Sequence, residues 1–182
     1  MINEVLQFNK NFVANKGYEK YITDKYPEKK LAILTCMDTR LLELLPAALG
    51  LKNGDAKIIK NAGGVIVHPF GSAVKSLLVA ILELQVQDIM IIGHTDCGVQ
   101  SLNPNEMLDK LKERGVCEDD INMLKYCGID FDTWLGGFDC VESSVKNTLE
   151  ILHHHPLIPK DVRIKGFIMD SVTGELYPVE YE

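Results

Sequence analysis

The sequence has no long apolar run and no concentration of basic residues. Its most apolar stretch, residues 76–84, follows Lys75 and contains Glu83, so it falls short of the ~18 apolar residues of a membrane-spanning helix. The 182 residues include 19 Lys and Arg against 26 Asp and Glu, a formal net charge of −7. Because phosphate groups are bound mainly by clustered Lys and Arg, this balance argues against nucleic acid or a membrane surface as a partner.

The N-terminal residues lack the cationic start and the apolar block of an export signal, so a cytoplasmic location is expected. Cysteines are few, odd in number and widely spaced, and none form the Cys-x-x-Cys pair of thiol oxidoreductases. In a reducing compartment we expect thiols or metal ligands, not a disulfide framework. The last three lack a Cys or His at ligand spacing and are predicted to be buried thiols. The five are Cys36, Cys97, Cys117, Cys127 and Cys140.

Length and composition predict a single domain over residues 1–182. Three short apolar runs, at 31–35, 57–60 and 88–93, predict strands, and the consecutive apolar residues of the third are typical of a strand that is covered on both faces. Between the second and third runs, apolar residues recur at helical spacing over residues 74–82. Strand, helix and strand in this order predict the α/β class, with a mainly parallel central sheet flanked by helices.

The two ends of the chain predict additions to this sheet. Residues 1–26 are interpreted as an amphipathic N-terminal helical arm, which cannot bury its apolar stripe alone and must pack on the body or on another subunit. Helices are predicted at 104–114 and 140–153. Residues 163–169 and 176–179, separated by a Thr-Gly turn, predict a C-terminal hairpin at the edge of the sheet. Residues 117–137 give no clear assignment.

Polar residues follow each of the first three predicted strands. The segments are CMDTR at 36–40, NAGG at 61–64 and GHTDCG at 93–98. In an open parallel sheet, ligands bind beyond the carboxyl ends of the strands. The topology therefore predicts that these three segments meet at one place.

The residues at that place predict a zinc site. Two thiolates and an imidazole suit Zn²⁺, and Cys36, His94 and Cys97 would leave a fourth position open, as in catalytic zinc sites. Asp38 is the competitor for that position, and Arg40 could hold its carboxylate away from the metal. Taken singly, a buried cysteine, a hydrogen-bonded histidine or a surface ion pair is the simpler interpretation. Their common location favours a site.

The motifs Cys-x-Asp-x-Arg and His-x-x-Cys-Gly resemble those of the beta-class carbonic anhydrases, in their compact, minimal-length form. The resemblance implies one Zn²⁺ per chain on Cys36, His94 and Cys97, and a catalytic dyad of Asp38 and Arg40. It also implies that the segment containing Asn61, Gly63 and Gly64 lines the substrate pocket. The implied activity is zinc-dependent, reversible hydration of carbon dioxide to bicarbonate and a proton, by attack of zinc-bound hydroxide. The implied assembly is a homodimer or tetramer, with the N-terminal arm on the neighbouring subunit.

Two other functions fit the same motifs: a hydrolase of CS₂ or COS on this fold, and a non-catalytic zinc-binding or sensing protein. The presence of both Asp38 and Arg40 argues against the second. An acid-side closed state, in which Asp38 leaves Arg40 and becomes the fourth zinc ligand, is a further hypothesis.

Three other features are weaker candidates for a site. The run His153 to His155 is interpreted as a cluster at a helix C-terminus and not as a second metal site, because successive helical residues point in different directions. A location of His68 near the pocket is the less favoured interpretation. For Trp134, core and interface positions stay open.

Overall fold

A central sheet of five strands organises the chain in this computed structural model, which describes residues 1–181. The strand order is β2-β1-β3-β4-β5, with parallel pairing among the first four and antiparallel pairing of β5 on β4. This confirms the predicted α/β class and the hairpin at the sheet edge. The strands are β1 (Leu31–Cys36), β2 (Ala56–Asn61), β3 (Asp88–His94), β4 (Arg163–Met169) and β5 (Leu176–Val179).

The central strands form because their apolar residues are consecutive. Successive side chains of a strand point to opposite faces, so a strand buried on both sides needs apolar residues at odd and even positions alike. In β1, Ile33 and Leu34 are both fully buried, and in β3 the same holds for Ile91 and Ile92. The first and third predicted runs therefore lie inside the sheet and are covered on both faces, whereas the second, β2, is an edge strand that is only partly buried.

Residues 1–181 contain seven α-helices. Residues 117–137, which had no clear assignment from the sequence, form two short helices. The seven are α1 (Ile2–Ala14), α2 (Leu44–Ala48), α3 (Ser72–Leu82), α4 (Pro104–Glu113), α5 (Glu118–Tyr126), α6 (Phe131–Leu135) and α7 (Val141–His153). Short 3₁₀ turns at Glu19–Tyr21, Thr39–Leu41 and Ala62–Gly64 complete the described structure.

Helices α3 and α7 cover one face of the sheet and form the larger core. From α7, Val145 and Leu149 pack so closely on β4 that a Cβ atom at Gly166 would lie 2.7 Å from each of their side chains. Full burial of an aliphatic side chain of this size contributes roughly 1.5–3 kcal/mol. The smaller core on the opposite face contains Leu41 and Leu45, and it surrounds the carboxyl ends of β1 and β3.

The predicted arm of residues 1–26 is helical only in its first half. Helix α1 ends at Ala14, because Lys16 takes a left-handed backbone conformation with φ of 54°. The rest of the arm consists of turns and extended chain. None of the residues of α1 is buried, and its apolar side chains, among them Val5 and Phe8, face outward. Phe12 packs on the ring of Tyr21 within the same arm, at a centroid distance of 6.3 Å, and the face that carries Val5 and Phe8 stays exposed.

The prediction that the last three cysteines are buried is wrong. Cys117, Cys127 and Cys140 are all exposed. The reason is that each stands at the end of a helix: Cys117 and Cys140 are the N-cap residues of α5 and α7, and Cys127 is the C-cap residue of α5. The exposure of a residue at a helix end depends on where that end lies, and these helix ends lie at the surface.

Candidate metal centre

Three potential metal ligands meet at the carboxyl edge of the sheet. Cys36 is the last residue of β1 and His94 the last residue of the neighbouring β3. Cys97 follows His94 after a tight turn. One ligand atom from each residue lies within 4.8 Å of the other two, and all three residues are buried. The structure thus brings the two thiols and the imidazole into one cluster, called here the Cys36–His94–Cys97 cluster.

The spacing of the two sulfur atoms fits a tetrahedral zinc ion. The Sγ atoms of Cys36 and Cys97 are 3.9 Å apart. Two sulfurs that each bind Zn²⁺ at about 2.3 Å, at the tetrahedral angle, lie roughly 3.8 Å apart. A disulfide would need a separation of about 2.05 Å. The pair is therefore arranged as separate thiols around a space that suits a metal ion.

The ring of His94 has one nitrogen atom that the described chain leaves unsatisfied. Its Nδ1 lies 2.8 Å from the carbonyl oxygen of Thr95, which can only accept, so Nδ1 carries the proton. Nε2 then offers a lone pair, and this buried atom has no hydrogen-bond partner among residues 1–181. Buried polar atoms are nearly always paired, and a metal-ligating histidine commonly donates its other N–H to a carbonyl. The unpaired Nε2 supports metal ligation by His94.

The two thiols of the cluster differ in acidity. Burial raises the pKa of Cys36, but the neighbouring His94 ring and the backbone N–H groups of Asp38 and Gly63 outweigh it, and the pKa falls to about 7. Burial, together with the negative charge of Cys36, raises the pKa of Cys97 to about 11. Since metals bind thiolates, the cluster has one sulfur that ionises readily and one that needs a cation to lose its proton.

Asp38 and Arg40 form a bidentate ion pair beside the cluster. Nε and Nη2 of Arg40 donate to the two carboxylate oxygens of Asp38, at 3.0 and 2.8 Å. The backbone N–H of Arg40 donates to Oδ1 of the same carboxylate at 2.9 Å. The hydrogen bonds from the Arg40 guanidinium hold the pKa of the Asp38 carboxyl well below its usual range. Asp38 is therefore ionised at neutral pH.

One acceptor position of Asp38 remains open toward the cluster. A carboxylate has about four lone-pair sites, and donors from Arg40 fill two on Oδ1 and one on Oδ2. The same Oδ2 lies 3.9 Å from Nε2 of His94. A hydrogen-bond donor located between Asp38 and the cluster can therefore be held by the remaining lone pair of Oδ2.

Arg40 also binds a second carboxylate, that of Asp96, which was not predicted from the sequence. Nη1 of Arg40 donates to Oδ2 of Asp96, and Nη2 donates to the carbonyl oxygen of Asp96, both at 2.8 Å. The only sequence signal was that Asp96 stands inside the His-x-x-Cys motif. Its contact with Arg40 joins residues 56 positions apart, and spacing within a motif cannot predict such a contact.

The turn at residues 61–64 packs directly against the end of β1. The side chain of Asn61 closes the turn by donating to the carbonyl oxygen of Val65 and accepting from its N–H. Gly64 has a φ of 66°, and a Cβ atom there would lie 2.7 Å from the backbone nitrogen of Cys36. Glycine is required at this position, because any side chain would displace β1 at Cys36.

An apolar cavity lies next to this turn. A Cβ atom at Gly63 would contact Val99 and Phe138, at 3.3 and 3.1 Å. Both side chains also line a cavity of about 440 Å³, whose other walls are mainly apolar and include Ala62 and Leu102. The backbone of Gly63 also touches the Cys36 thiol. The turn therefore separates the cluster from an apolar space by little more than one glycine.

The weaker candidates differ in their surroundings. His68 and Trp134 line a second cavity, of about 560 Å³, formed mainly by α5 and α6, and Trp134 also lines the 440 Å³ cavity next to the turn. The three rings of the histidine run have three different partners. His153 stacks on Tyr181, His154 lies 3.2 Å from Glu150, and His155 binds the carbonyl oxygen of Pro69. These rings do not converge on one point.

Comparison with known proteins agrees with this arrangement of fold and site. The sequence model of the family described as carbonic anhydrase matches residues 31–176. The chain belongs to the beta-carbonic anhydrase family and is therefore an enzyme of the carbonic anhydrase type.

Individual relatives cover nearly the whole chain. The protein YtiB of Bacillus subtilis, provisionally named a carbonic anhydrase, is 51% identical over 97% of this chain and 94% of its own length. The crystal structure of a beta-carbonic anhydrase from Trichomonas vaginalis has a TM-score of 0.90 at 32% identity and covers 100% of this chain and 98% of that one. A carbon disulfide hydrolase of Acidithiobacillus thiooxidans is 32% identical over 86% of this chain and 76% of its own length.

No helix within residues 1–181 has both the length and the apolarity needed to cross a membrane.

Proposed function

We propose that this protein catalyses the reversible hydration of carbon dioxide to bicarbonate and a proton, with one Zn²⁺ per chain. The observation that carries the proposal is the buried cluster of Cys36, His94 and Cys97, in which Nε2 of His94 is unpaired among the described residues. Its two sulfurs and one nitrogen are the donor set that zinc prefers. Three protein ligands leave one tetrahedral position for water or substrate, as catalysis requires.

When bound, Zn²⁺ supplies the nucleophile by lowering the pKa of water toward ~7, the value known for three-histidine carbonic anhydrases. The protein contributes the shape and charge around that position. Thr95 fixes the His94 tautomer through the hydrogen bond to Nδ1, so that the lone pair of Nε2 would be available to hold the ion. Cys36 and Cys97 would hold the ion as thiolates, and the ligand set would then carry two negative charges.

Asp38 orients the nucleophile. Its open lone pair on Oδ2 accepts a hydrogen bond from the attacking oxygen and directs a lone pair of that oxygen at the carbon atom of CO₂. Because Arg40 keeps the pKa of Asp38 well below its usual range, the carboxylate accepts this hydrogen bond without taking the proton. The proton released in each turnover therefore goes to solvent or buffer.

The turn at residues 61–64 provides the substrate pocket. CO₂ is linear and nonpolar, so an apolar space next to the cluster suits it better than water does. Gly63 and Gly64 keep the turn against β1 without side chains that would fill this space, and Asn61 holds the shape of the turn. The apolar side chains of Val99 and Phe138 then lie next to the position of the substrate.

Asp38 is also in a position to compete for the fourth metal site. In the described arrangement its carboxylate is bound to Arg40, which leaves that site open. We propose that acid conditions favour a closed state in which Asp38 exchanges Arg40 for the metal. Crystals grown at pH 5.5 and pH 8.5 with zinc bound test this: Asp38 on Arg40 at both pH values contradicts the closed state.

The assembly follows from the exposed apolar face of α1. A helix that buries none of its residues within its own chain gains stability only by packing elsewhere. We propose that α1 packs on the neighbouring subunit of a homodimer, or of a tetramer built from such dimers. The thiols of the cluster must stay reduced to bind metal, which supports a cytoplasmic location.

Stopped-flow measurements on zinc-loaded protein test the proposed reaction. Hydration of CO₂ should be rapid, should disappear when a chelator removes the metal, and should return on addition of Zn²⁺. The same preparation is assayed for release of H₂S from CS₂ and COS. Turnover of CS₂ or COS without CO₂ hydration would assign the hydrolase function instead, and bound zinc without any turnover would indicate a non-catalytic protein.

A further inference from the structure

The guanidinium of Arg40 binds two residues that follow different strands. Four of its five N–H groups donate hydrogen bonds: two to the carboxylate of Asp38, one to the carboxylate of Asp96 and one to the carbonyl oxygen of Asp96. Asp38 follows β1, whereas Asp96 follows β3. Arg40 therefore connects the loops that carry the ligands of the two strands.

We propose that Asp96 is a positioning residue for the reaction. It fixes the plane of the Arg40 guanidinium, and Arg40 in turn presents Oδ2 of Asp38 to the cluster. The inference rests on the proposed function, because it assigns Asp96 a role in the orientation of the nucleophile by Asp38. Asp96 itself acts only through Arg40 and contacts no ligand atom of the cluster.

A second acceptor is needed because one ion pair leaves the guanidinium free to move. The Arg40 side chain is 38% exposed, so packing against other side chains covers only part of it. A planar guanidinium bound to a single carboxylate can still swing with that carboxylate as a unit. Bonds from Nη1 and Nη2 to Asp96 anchor the opposite edge of the same plane, so the Asp38 carboxylate keeps one orientation.

The identity of residue 96 satisfies two requirements at once. Its backbone has a φ of 54°, a left-handed conformation that Asp and Asn tolerate better than most residues. This conformation turns the chain between His94 and Cys97 and directs the carbonyl oxygen of Asp96 at Arg40. The carboxylate then supplies the acceptor for Nη1. Glycine would preserve the turn without the carboxylate, and asparagine would preserve the turn with an uncharged acceptor.

A contribution to folding stability does not explain the ion pair between Arg40 and Asp96. The Asp96 side chain is 85% exposed, and ion pairs of such exposed groups contribute little to folding. Loss of the Asp96 carboxylate should therefore change the orientation of Arg40 and Asp38 without unfolding the protein. This separates a positioning role from a structural one.

The first test measures Arg40 directly, in the metal-free and the zinc-loaded protein. The Nε–H signal of Arg40 is assigned by NMR through its loss in Arg40→Lys, and its exchange with water is compared in wild type, Asp96→Gly and Asp96→Asn. We expect exchange to accelerate at least about fivefold in Asp96→Gly and less in Asp96→Asn. The control Asp109→Asn removes another exposed carboxylate paired with a cation and should leave exchange unchanged. Unchanged exchange in both Asp96 variants would overturn the proposal.

The second test is a double-mutant cycle on CO₂ hydration. In the native background, Asp96→Gly should lower kcat about 3- to 10-fold with KM unchanged and full zinc content, and Asp96→Asn should recover part of the loss. In an Arg40→Gln background, Asp96→Gly should have no further effect, because Asp96 acts through Arg40. Equal losses in both backgrounds contradict the proposal. If wild type has no hydration activity, the proposed function fails, whereas the exchange of Arg40 Nε–H still decides the role of Asp96.

Discussion

The Sγ atoms of Cys36 and Cys97 lie 3.9 Å apart, although 61 positions separate the two residues along the chain. The pairing of β1 with β3 produces this approach, because it aligns the carboxyl ends of the two strands. The sheet itself therefore brings the three side chains of the cluster together. A metal ion held there would supply the charge that two buried, ionised sulfurs need at this distance.

Removal of one of these sulfurs should remove the metal. In Cys97→Ser the affinity for Zn²⁺ is expected to fall more than about 100-fold, because a hydroxyl replaces a thiolate in a three-ligand set. Elemental analysis after dialysis should find about one zinc per chain in wild type and much less in the variant. The matched control is Cys127→Ser, which changes an exposed thiol at the end of α5 and should retain full zinc. Equal zinc in all three proteins would contradict the ligand assignment.

The two thiols of the cluster should release more protons to zinc at acid pH. At pH 8.5, Cys36, with a pKa of about 7, is already a thiolate, whereas Cys97, with a pKa of about 11, is protonated. Zinc binding then takes about one proton from the thiols, and at pH 6 about two, because Cys36 must also ionise. The ultraviolet absorbance of thiolates in the metal-free protein tests these acidities without a contribution from metal-bound water: a thiolate should form near pH 7 in wild type and be missing in Cys36→Ser. Absence of that step in wild type would contradict the assigned acidities.

The sheet and the approach of Cys36, His94 and Cys97 to one another could be predicted from the sequence, because both depend on local patterns. Consecutive apolar residues predict strands buried on both faces, and in a parallel sheet the residues after neighbouring strands must meet. The observed β3 and β4 agree with the predicted runs to within one residue. The chemistry of His94 and the two cysteines then indicates the metal.

The features that could not be predicted depend on backbone conformation or on helix ends. The bond from Arg40 to Asp96 requires the left-handed φ of Asp96, which no spacing encodes. The end of α1 at Ala14 has the same origin, since Lys16 turns left-handed. The exposure of the last three cysteines depends on where α5 and α7 begin and end, and boundaries are the least predictable part of a helix.

Neutralisation of Asp38 should reduce catalysis without loss of metal. Asp38→Asn keeps the shape of the side chain but removes the negative charge of the carboxylate, which accepts hydrogen bonds from the nucleophile and from Arg40. We expect kcat for CO₂ hydration to fall roughly 100-fold or more, with zinc content unchanged. The control for stopped-flow assays is Asp88→Asn. Asp88 forms another bidentate ion pair, with Arg163, at the opposite ends of the strands from the cluster. Similar activity of the two variants would exclude Asp38 from the mechanism.

Replacement of Gly64 by alanine should destabilise the fold at the site itself. The new methyl group would lie 2.7 Å from the nitrogen of Cys36, in addition to the strain of a φ of 66°. The expected loss of unfolding free energy is more than about 2 kcal/mol, measured by urea denaturation of the metal-free protein. Gly115→Ala isolates the strain, because Gly115 has a φ of 95° but open space around it, and it should cost only about 1 kcal/mol. Equal losses would show that the contact with β1 is unimportant.

The exposed face of α1 predicts that association depends on this helix. Val5 is 64% exposed and Phe8 is 74% exposed, and apolar side chains in such numbers on one helix are typical of an interface. Phe8→Glu should raise the dimer dissociation constant at least about tenfold, because a charge would be buried without a partner. Sedimentation equilibrium measures this, with Gln7→Glu as a control that places the same charge at an exposed polar position. Two outcomes would show that α1 does not form the interface. One is a wild-type protein that is monomeric at micromolar concentration, and the other is a Phe8→Glu variant that associates like wild type.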